Sequence, residues 1–131
     1  MNLILLFIAH FITDFLLQSR EMGQKKSQYF KWLIGHLFIQ YLVMLVFVLG
    51  VTGGNLEIAT LFSLFNTIVH GIIDWYIWKF YKLHAIRIIK RDRIKVRDFK
   101  YWEDHVFYTT IGFDQLLHTA TIVGLYGFFR I

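Results

Sequence analysis

Residues 58–78 read IATLFSLFNTIVHGIIDWYIW, an apolar run that contains both a histidine and an aspartate. Its length is close to the roughly 20 residues with which a helix crosses the hydrocarbon core of a membrane. His70 and Asp74 are four residues apart, so they lie on one face of such a helix. Ionisable groups inside a membrane segment are costly, and they usually face the protein interior and mark a functional site. This stretch therefore predicts a membrane helix with a polar inner face.

Three further stretches of the chain have the same apolar character. The composition is 56% hydrophobic with no proline, and the mean hydropathy is +0.50. A soluble domain with a buried all-helical core, which is the alternative, would show more polar surface and more turn residues. We predict an all-α integral membrane protein, with residues 1–131 as a single domain folded into a four-helix bundle. The four predicted transmembrane helices cover about residues 2–18, 32–51, 57–80 and 105–129.

Lysine and arginine residues predict the orientation of these helices. The loop between the first two helices and the segment of about residues 82–104 are both basic, whereas the turn at residues 52–55 carries no charge. Since basic loops stay in the cytoplasm, both termini are predicted to lie outside, in a multi-pass protein of the cell (inner, cytoplasmic) membrane. Segment 82–104 supplies most of the net charge of +5, and we attribute its charge to topology. Contact with anionic lipid headgroups is the alternative, and no sequence motif indicates nucleic-acid binding.

The candidate site consists of three histidine–aspartate pairs with a spacing of four, together with one histidine of the second helix. The seven residues are His10, Asp14, His36, His70, Asp74, Asp114 and His118. In the last helix the aspartate comes first, Asp114 before His118. Because this helix runs opposite to the first and third, the reversed order gives all three pairs one polarity, with aspartate nearer the cytoplasm. The seven side chains are therefore predicted to share one site in the bundle interior.

Histidine and aspartate without cysteine favour a divalent metal, with Zn²⁺ as the first choice and Mn²⁺ or Fe²⁺ as alternatives. Seven donors exceed the four ligands of a tetrahedral zinc, so either some donors orient the ligands or two metals are bound. Three carboxylates with one divalent cation leave a charge of about −1, which is tolerable if one aspartate acts as a general base. The candidate catalytic residues are thus Asp14, Asp74 and Asp114.

The reaction that fits such a site is the hydrolysis of an ester or phosphoester in a lipid-like substrate, reached from the inner leaflet. Three other interpretations stay open: hydrogen bonding between helices, a proton or metal-ion pathway, and a small membrane assembly partner. Beyond Gln40 the second helix reads YLVMLVFV, so polar residues do not continue to the outer face. The sequence predicts a cup that opens inward, with membrane lipids as partners and a homo-oligomer left open.

Residues 10–18 read HFITDFLLQ, and they are followed by the lone histidine, the HxxxD of the third helix and DQxxH in the fourth. This combination resembles the small bacterial and phage membrane proteins of domain-of-unknown-function family 3307, over nearly the whole chain. It is more distantly similar to the LexA-regulated membrane-bound metal-dependent hydrolases, whose name implies metal-dependent hydrolysis. The resemblance adds Gln18 and Gln115 to the seven pattern positions.

Overall fold

A computed structural model describes residues 2–131, which form an all-helical protein without a β-strand. Four of its helices correspond to the four predicted ones, and a short additional helix lies in the loop predicted between the first two. The helices are α1 (Asn2–Phe11), α2 (Arg20–Lys25), α3 (Phe30–Val51), α4 (Leu56–Asp92) and α5 (His105–Phe129).

The first predicted helix changes its geometry before it ends. It continues from α1 into one turn of π-helix, Ile12–Leu16, in which the Leu17 amide donates to the Ile12 carbonyl at 2.8 Å. A new helix then begins, because the Ser19 hydroxyl accepts a hydrogen bond from the Met22 amide at the start of α2. The helix predicted to reach residue 18 therefore stops at Leu16.

Helix α4 extends beyond the predicted helix end at about residue 80 and continues to Asp92, into the segment predicted as a basic loop. Residues 81–92 contain neither glycine nor proline and include several good helix formers, so nothing in the local sequence ends the helix at the predicted membrane boundary. It ends where Arg93 adopts a left-handed conformation, with φ of 53°. Two single turns of 3₁₀ helix, Val96–Asp98 and Tyr101–Glu103, lead from there to α5.

The four longer helices close into a ring. Helix α1 packs against α3 and α5, and α4 packs against the same two helices. A tight turn joins α3 to α4, and it depends on Gly53 and Gly54, which have φ of 65° and 93°. The Asn55 side chain then accepts a hydrogen bond from the Ile58 amide and caps α4. The ring encloses one interior that all four helices face.

One end of this interior is filled by apolar side chains, and we call it the apolar end. Its core is made of Leu6, Ala9, Met44, Val48, Ala59, Phe62 and Ile122. These residues precede the histidines of α1 and α4 and follow those of α3 and α5. The apolar end therefore lies opposite α2 and the 93–104 segment, whose side of the bundle we call the loop end.

Many apolar side chains lie on the outside of the bundle and many polar ones inside, which is the reverse of a soluble protein. Large apolar side chains such as Phe38 and Val46 are more than 60% exposed, whereas more polar than apolar side chains are buried. Helices α3 and α4 are long and apolar enough to cross a membrane, with mean hydropathies of 2.2 and 1.6 over an 18-residue stretch of each, and the apolar segment Asn2–Leu16 is shorter. The outward apolar faces are those expected of helices in contact with lipid.

Candidate metal centre

All seven predicted donor residues lie in the bundle interior, and none is more than 7% exposed. The i, i+4 spacing places each pair on the inner face of its helix, as the helical period requires. Helix α1 with its π-turn, α3, α4 and α5 each contribute at least one donor: His10, Asp14, His36, His70, Asp74, Asp114 and His118.

Four of these side chains converge on one point between α1, α3 and α4. Nε2 of His36 and Nε2 of His70 are 2.9 Å apart. Oδ1 of Asp14 lies 3.3 Å from the first nitrogen and 3.4 Å from the second. Oδ2 of Asp74 lies 3.3 Å and 3.2 Å from the same two atoms. We call these four atoms the first donor set.

Three members of the first donor set are spaced to hold a divalent cation, since donor atoms of Asp14, His36 and His70 lie within 4.8 Å of one another. Ligands of a tetrahedral zinc lie about 3.3 Å apart when the bonds to nitrogen and oxygen are about 2.0–2.1 Å. The distances from both histidine nitrogens to both carboxylate oxygens, 3.2–3.4 Å, are close to this value, whereas the two nitrogens are closer together, at 2.9 Å. Two imidazoles and two carboxylates are also a common ligand chemistry for zinc, manganese and iron. These buried residues could therefore hold a metal ion.

The remaining three residues form a second group on the side of α1 and α5. Nε2 of His118 lies 3.6 Å from Oδ1 of Asp114, and Nε2 of His10 lies 3.5 Å from Oδ2 of Asp14. Donor atoms of His10, His70 and His118 lie within 4.8 Å of one another, as do those of Asp14, Asp114 and His118. The carboxylate of Asp14 thus faces both groups, with a different oxygen toward each.

The ammonium group of Lys26, a residue that the sequence does not single out, enters the site from the segment after α2. Its Nζ lies 2.8 Å from Oδ1 of Asp74, and the whole residue is only 3% exposed. The neighbouring Lys25 instead pairs with Glu21 on the exposed surface. In the sequence both lysines belong to a basic loop, and the positive-inside rule accounts for the charge of both. Nothing in the local sequence therefore indicates that Lys26, and not Lys25, enters the site.

A second lysine holds this segment against α4. Nζ of Lys82 donates to the Gln24 carbonyl at 2.6 Å and to the Ser27 hydroxyl at 2.8 Å. Ser27 is 3% exposed and follows Lys26 directly. The extension of α4 beyond the predicted boundary is what brings Lys82 into reach. The contact fixes the chain on both sides of Lys26 and so keeps its ammonium group near Asp74.

The local backbone around the site has two specialised features. Asp14 sits in the π-helical turn, a geometry that occurs frequently at functional sites. Thr13, in the same turn, donates to the His10 carbonyl at 2.8 Å and also contacts the Gln40 side chain. Gly71 lies close to α3, since a Cβ at this position would come within 2.7 Å of Leu37. This close approach of α3 and α4 allows the imidazoles of His36 and His70 to meet.

A cavity of about 910 Å³ extends from the loop end into the bundle. Two site residues, Asp14 and Asp114, line its inner part, together with Gln18 and Gln115. Gln115 donates to Oδ2 of Asp114 at 3.2 Å. The predicted catalytic residue Asp74 is not among the residues that line the cavity, because it is completely buried behind Lys26. The cavity therefore reaches two of the three predicted catalytic carboxylates.

The remaining two histidines of the chain, His84 and His105, lie away from the donor residues. Nε2 of His84 lies 3.4 Å from Oδ2 of Asp104 at the start of α5, and His105 is exposed. Asn66, one turn before His70 on the polar face of α4, is buried on the apolar side of the donors. The histidines that gather in the interior are thus those four that the spacing and depth of the polar residues indicated.

Comparison with known proteins agrees with the motif pattern. No curated protein and no solved structure matches this chain. A family model described as protein of unknown function (DUF3307) matches residues 2–130, which is nearly the whole chain. The buried histidine, aspartate and glutamine positions all fall within the matched range, and the chain belongs to this DUF3307 family.

Proposed function

We propose that this protein is a metal-dependent membrane hydrolase that cleaves an ester or phosphoester of a lipid-like substrate at the cytoplasmic leaflet. The observation that carries the proposal is the path of the cavity. It connects the loop end with Asp14 and Asp114, beside the possible metal ligands, while apolar side chains fill the opposite end. A substrate entering from one side and a closed opposite end are typical of a catalytic pocket rather than of a channel.

The proposal includes a topology of four transmembrane helices with both termini outside, in the cell membrane. In addition to α3 and α4, the outer faces of α1 and α5 carry exposed apolar side chains, among them Ile4 at 61%, Leu116 at 61% and Phe128 at 77%. Lysine and arginine residues concentrate at the loop end, which the positive-inside rule assigns to the cytoplasm. We also include in this proposal the distant similarity to the LexA-regulated membrane-bound metal-dependent hydrolases.

The cavity walls favour an amphiphilic substrate. Trp78, Phe107 and Ile111 contribute aromatic and apolar surface, whereas Arg20 and Lys82 contribute positive charge. An acyl or isoprenoid chain would lie along the apolar wall, and an anionic headgroup would lie near the cations. This combination supports a membrane lipid over a small polar metabolite.

Lys26 changes the charge balance of the site. Three buried aspartates contribute −3 and Lys26 contributes +1, so with neutral imidazoles the site carries −2. One divalent cation, with Zn²⁺ as the first choice and Mn²⁺ or Fe²⁺ as alternatives, neutralises this charge. Asp14, His36 and His70 would hold it, which would leave one position for water, and Asp74 beside them is paired with Lys26. A cation bound there supplies a Lewis acid and lowers the pKa of a bound water.

A side chain of the protein would then accept and return the proton that the reaction transfers. Hydrolysis joins the oxygen of water to the acyl carbon or phosphorus and breaks its bond to the ester oxygen, which leaves as an alcohol. Asp114 lines the cavity, its Oδ2 accepts a hydrogen bond from Gln115, and we assign its carboxylate as the base that accepts one proton from water. Asp114 can return this proton to the departing oxygen.

Metal analysis of the detergent-purified protein tests the proposal. We expect bound divalent metal in the wild type and in His105→Ala, a surface control, and its loss in His70→Ala. Protein that is folded yet binds no metal after incubation with Zn²⁺, Mn²⁺ or Fe²⁺ would overturn the proposal. Release of fatty acid or headgroup from phospholipid vesicles then separates a hydrolase from the alternative, a non-enzymatic metal-binding or transport component.

A further inference from the structure

We infer that the site binds a second divalent cation, held by His10, His118, Asp114 and the second oxygen of Asp14, so that Asp14 bridges a dinuclear centre. The inference rests on the proposed function, because it assumes that the first donor set binds metal. It also narrows the substrate to a phosphoester anion. Two-metal sites typically stabilise both the attacking and the leaving oxygen in phosphoester displacement.

The first observation is a set of buried donor atoms without partners. Among the described residues, Nε2 of His10, Nε2 of His118 and Oδ1 of Asp114 have no hydrogen-bond partner. These residues are 5%, 2% and 3% exposed. A buried polar atom that lacks a partner is costly, and native proteins seldom retain several in one place without a ligand. A cation between these atoms would satisfy all three.

The second observation is the orientation of the Asp14 carboxylate. Its Oδ1 belongs to the first donor set, 3.3 Å from His36, whereas its Oδ2 lies 3.5 Å from Nε2 of His10. One carboxylate thus presents one oxygen to each group of histidines. Asp74 also divides its oxygens, but its Oδ1 is paired with Lys26 at 2.8 Å. Asp14 is therefore the carboxylate free to bridge two cations.

The third observation is the proximity of the remaining donors. Nε2 of His118 and Oδ1 of Asp114 are 3.6 Å apart, and donor atoms of Asp14, Asp114 and His118 lie within 4.8 Å of one another. The imidazole rings of His10 and His118 have centroids 4.8 Å apart. These separations are wider than those of the first donor set, and small side-chain rotations would close them around an ion. Oδ2 of Asp114 would remain available as the base.

Charge then selects the substrate. Two divalent cations add +4 to the −2 of the three aspartates and Lys26, which leaves +2 in a buried site. A surplus of this size is costly in a region of low dielectric constant unless an anion enters with it. A phosphodiester brings negative charge, whereas a carboxylic ester brings none. The second cation and a phosphoester anion should therefore strengthen each other's binding.

Equilibrium dialysis with Mn²⁺, with and without dimethyl phosphate, tests this inference. In the presence of dimethyl phosphate we expect two Mn²⁺ ions per chain and the electron paramagnetic resonance pattern of an exchange-coupled pair. Without dimethyl phosphate, the affinity of the site for the second Mn²⁺ ion should be lower by about tenfold or more. His118→Ala and Asp114→Asn should each bind one ion with an uncoupled spectrum, and the exposed controls His105→Ala and Asp98→Asn should still bind two.

The outcomes separate this inference from the proposed function. One ion per chain in wild-type protein under both conditions would overturn the dinuclear centre and leave the proposed function intact. Two ions that persist in both His118→Ala and Asp114→Asn would also overturn it, because the second ion would then lie elsewhere. A folded wild-type protein that binds no Mn²⁺, Zn²⁺ or Fe²⁺ would overturn both.

Discussion

The apolar end and the loop end of this bundle are built from the same four helices but differ in what they bury. At the apolar end, Phe62, Met44 and Val48 are completely buried against one another, and the Phe62 ring packs on that of Phe129 at 5.8 Å between centroids. At the loop end the helices instead enclose histidines, aspartates and one lysine around an accessible cavity. The apolar end is built for stability, whereas the loop end retains donors that a ligand would satisfy.

The contrast teaches where the stability of the metal-free protein comes from. Close packing contributes at the apolar end, because every buried methylene there makes dispersion contacts. Buried carboxylates near one another contribute little or oppose folding unless a cation or Lys26 neutralises them. Sites that retain such groups typically trade stability for function. Substitutions at the two ends should therefore separate metal binding from stability.

The largest expected effect follows from Asp14→Asn at the loop end. Asparagine keeps the shape of the side chain but removes the negative charge shared by both groups of histidines. We expect complete loss of bound metal, whereas the thermal midpoint of the metal-free protein stays the same or rises because the repulsion with Asp74 is relieved. Metal analysis and thermal unfolding in detergent with a chelator measure the two quantities. If the variant retained metal, or if the thermal midpoint of its metal-free form clearly fell, the division between a metal-binding loop end and a stabilising apolar end would be wrong.

Phe62→Ala at the apolar end should have the reverse effect. Removing a completely buried aromatic side chain costs about 3–5 kcal/mol of folding free energy through lost burial and the remaining cavity. The donors lie beyond this core, so the metal content of the folded fraction should match that of the wild type. Denaturant unfolding and metal analysis of one preparation provide both values. Loss of metal from folded protein would show that the two ends are not independent.

Lys26→Met should give a smaller effect that depends on metal. Removing one partner of a buried ion pair costs about 3 kcal/mol because the other charge is left uncompensated, so the metal-free variant should be less stable. Bound cation then supplies the missing positive charge, and the stability gain on adding metal should exceed that of the wild type. Lys25→Met is the matched control, since Lys25 pairs with Glu21 at the surface, and we expect a change within about 0.5 kcal/mol. Equal losses in the two variants would refute the role of Lys26.

Much of the helical framework follows from the pattern of apolar residues. Long apolar runs separated by a Gly-Gly turn and basic segments predict four helices, because backbone groups in an apolar environment must bond within the helix. The end of α4 at Asp92 could not be predicted in this way. The apolar pattern stops near residue 80, but a helix ends only where capping or a left-handed residue such as Arg93 interrupts it.

For the candidate site, the sequence by itself determined which side chains share a face. The i, i+4 spacing of His70 and Asp74 is a property of the helical repeat, and the reversed order of Asp114 and His118 compensates for the reversed direction of the helix. Tertiary structure alone decided that Lys26 neutralises Asp74 and that Asp14 turns one oxygen toward each group of histidines. These contacts join segments distant in the chain, and their geometry depends on packing that no local repeat encodes.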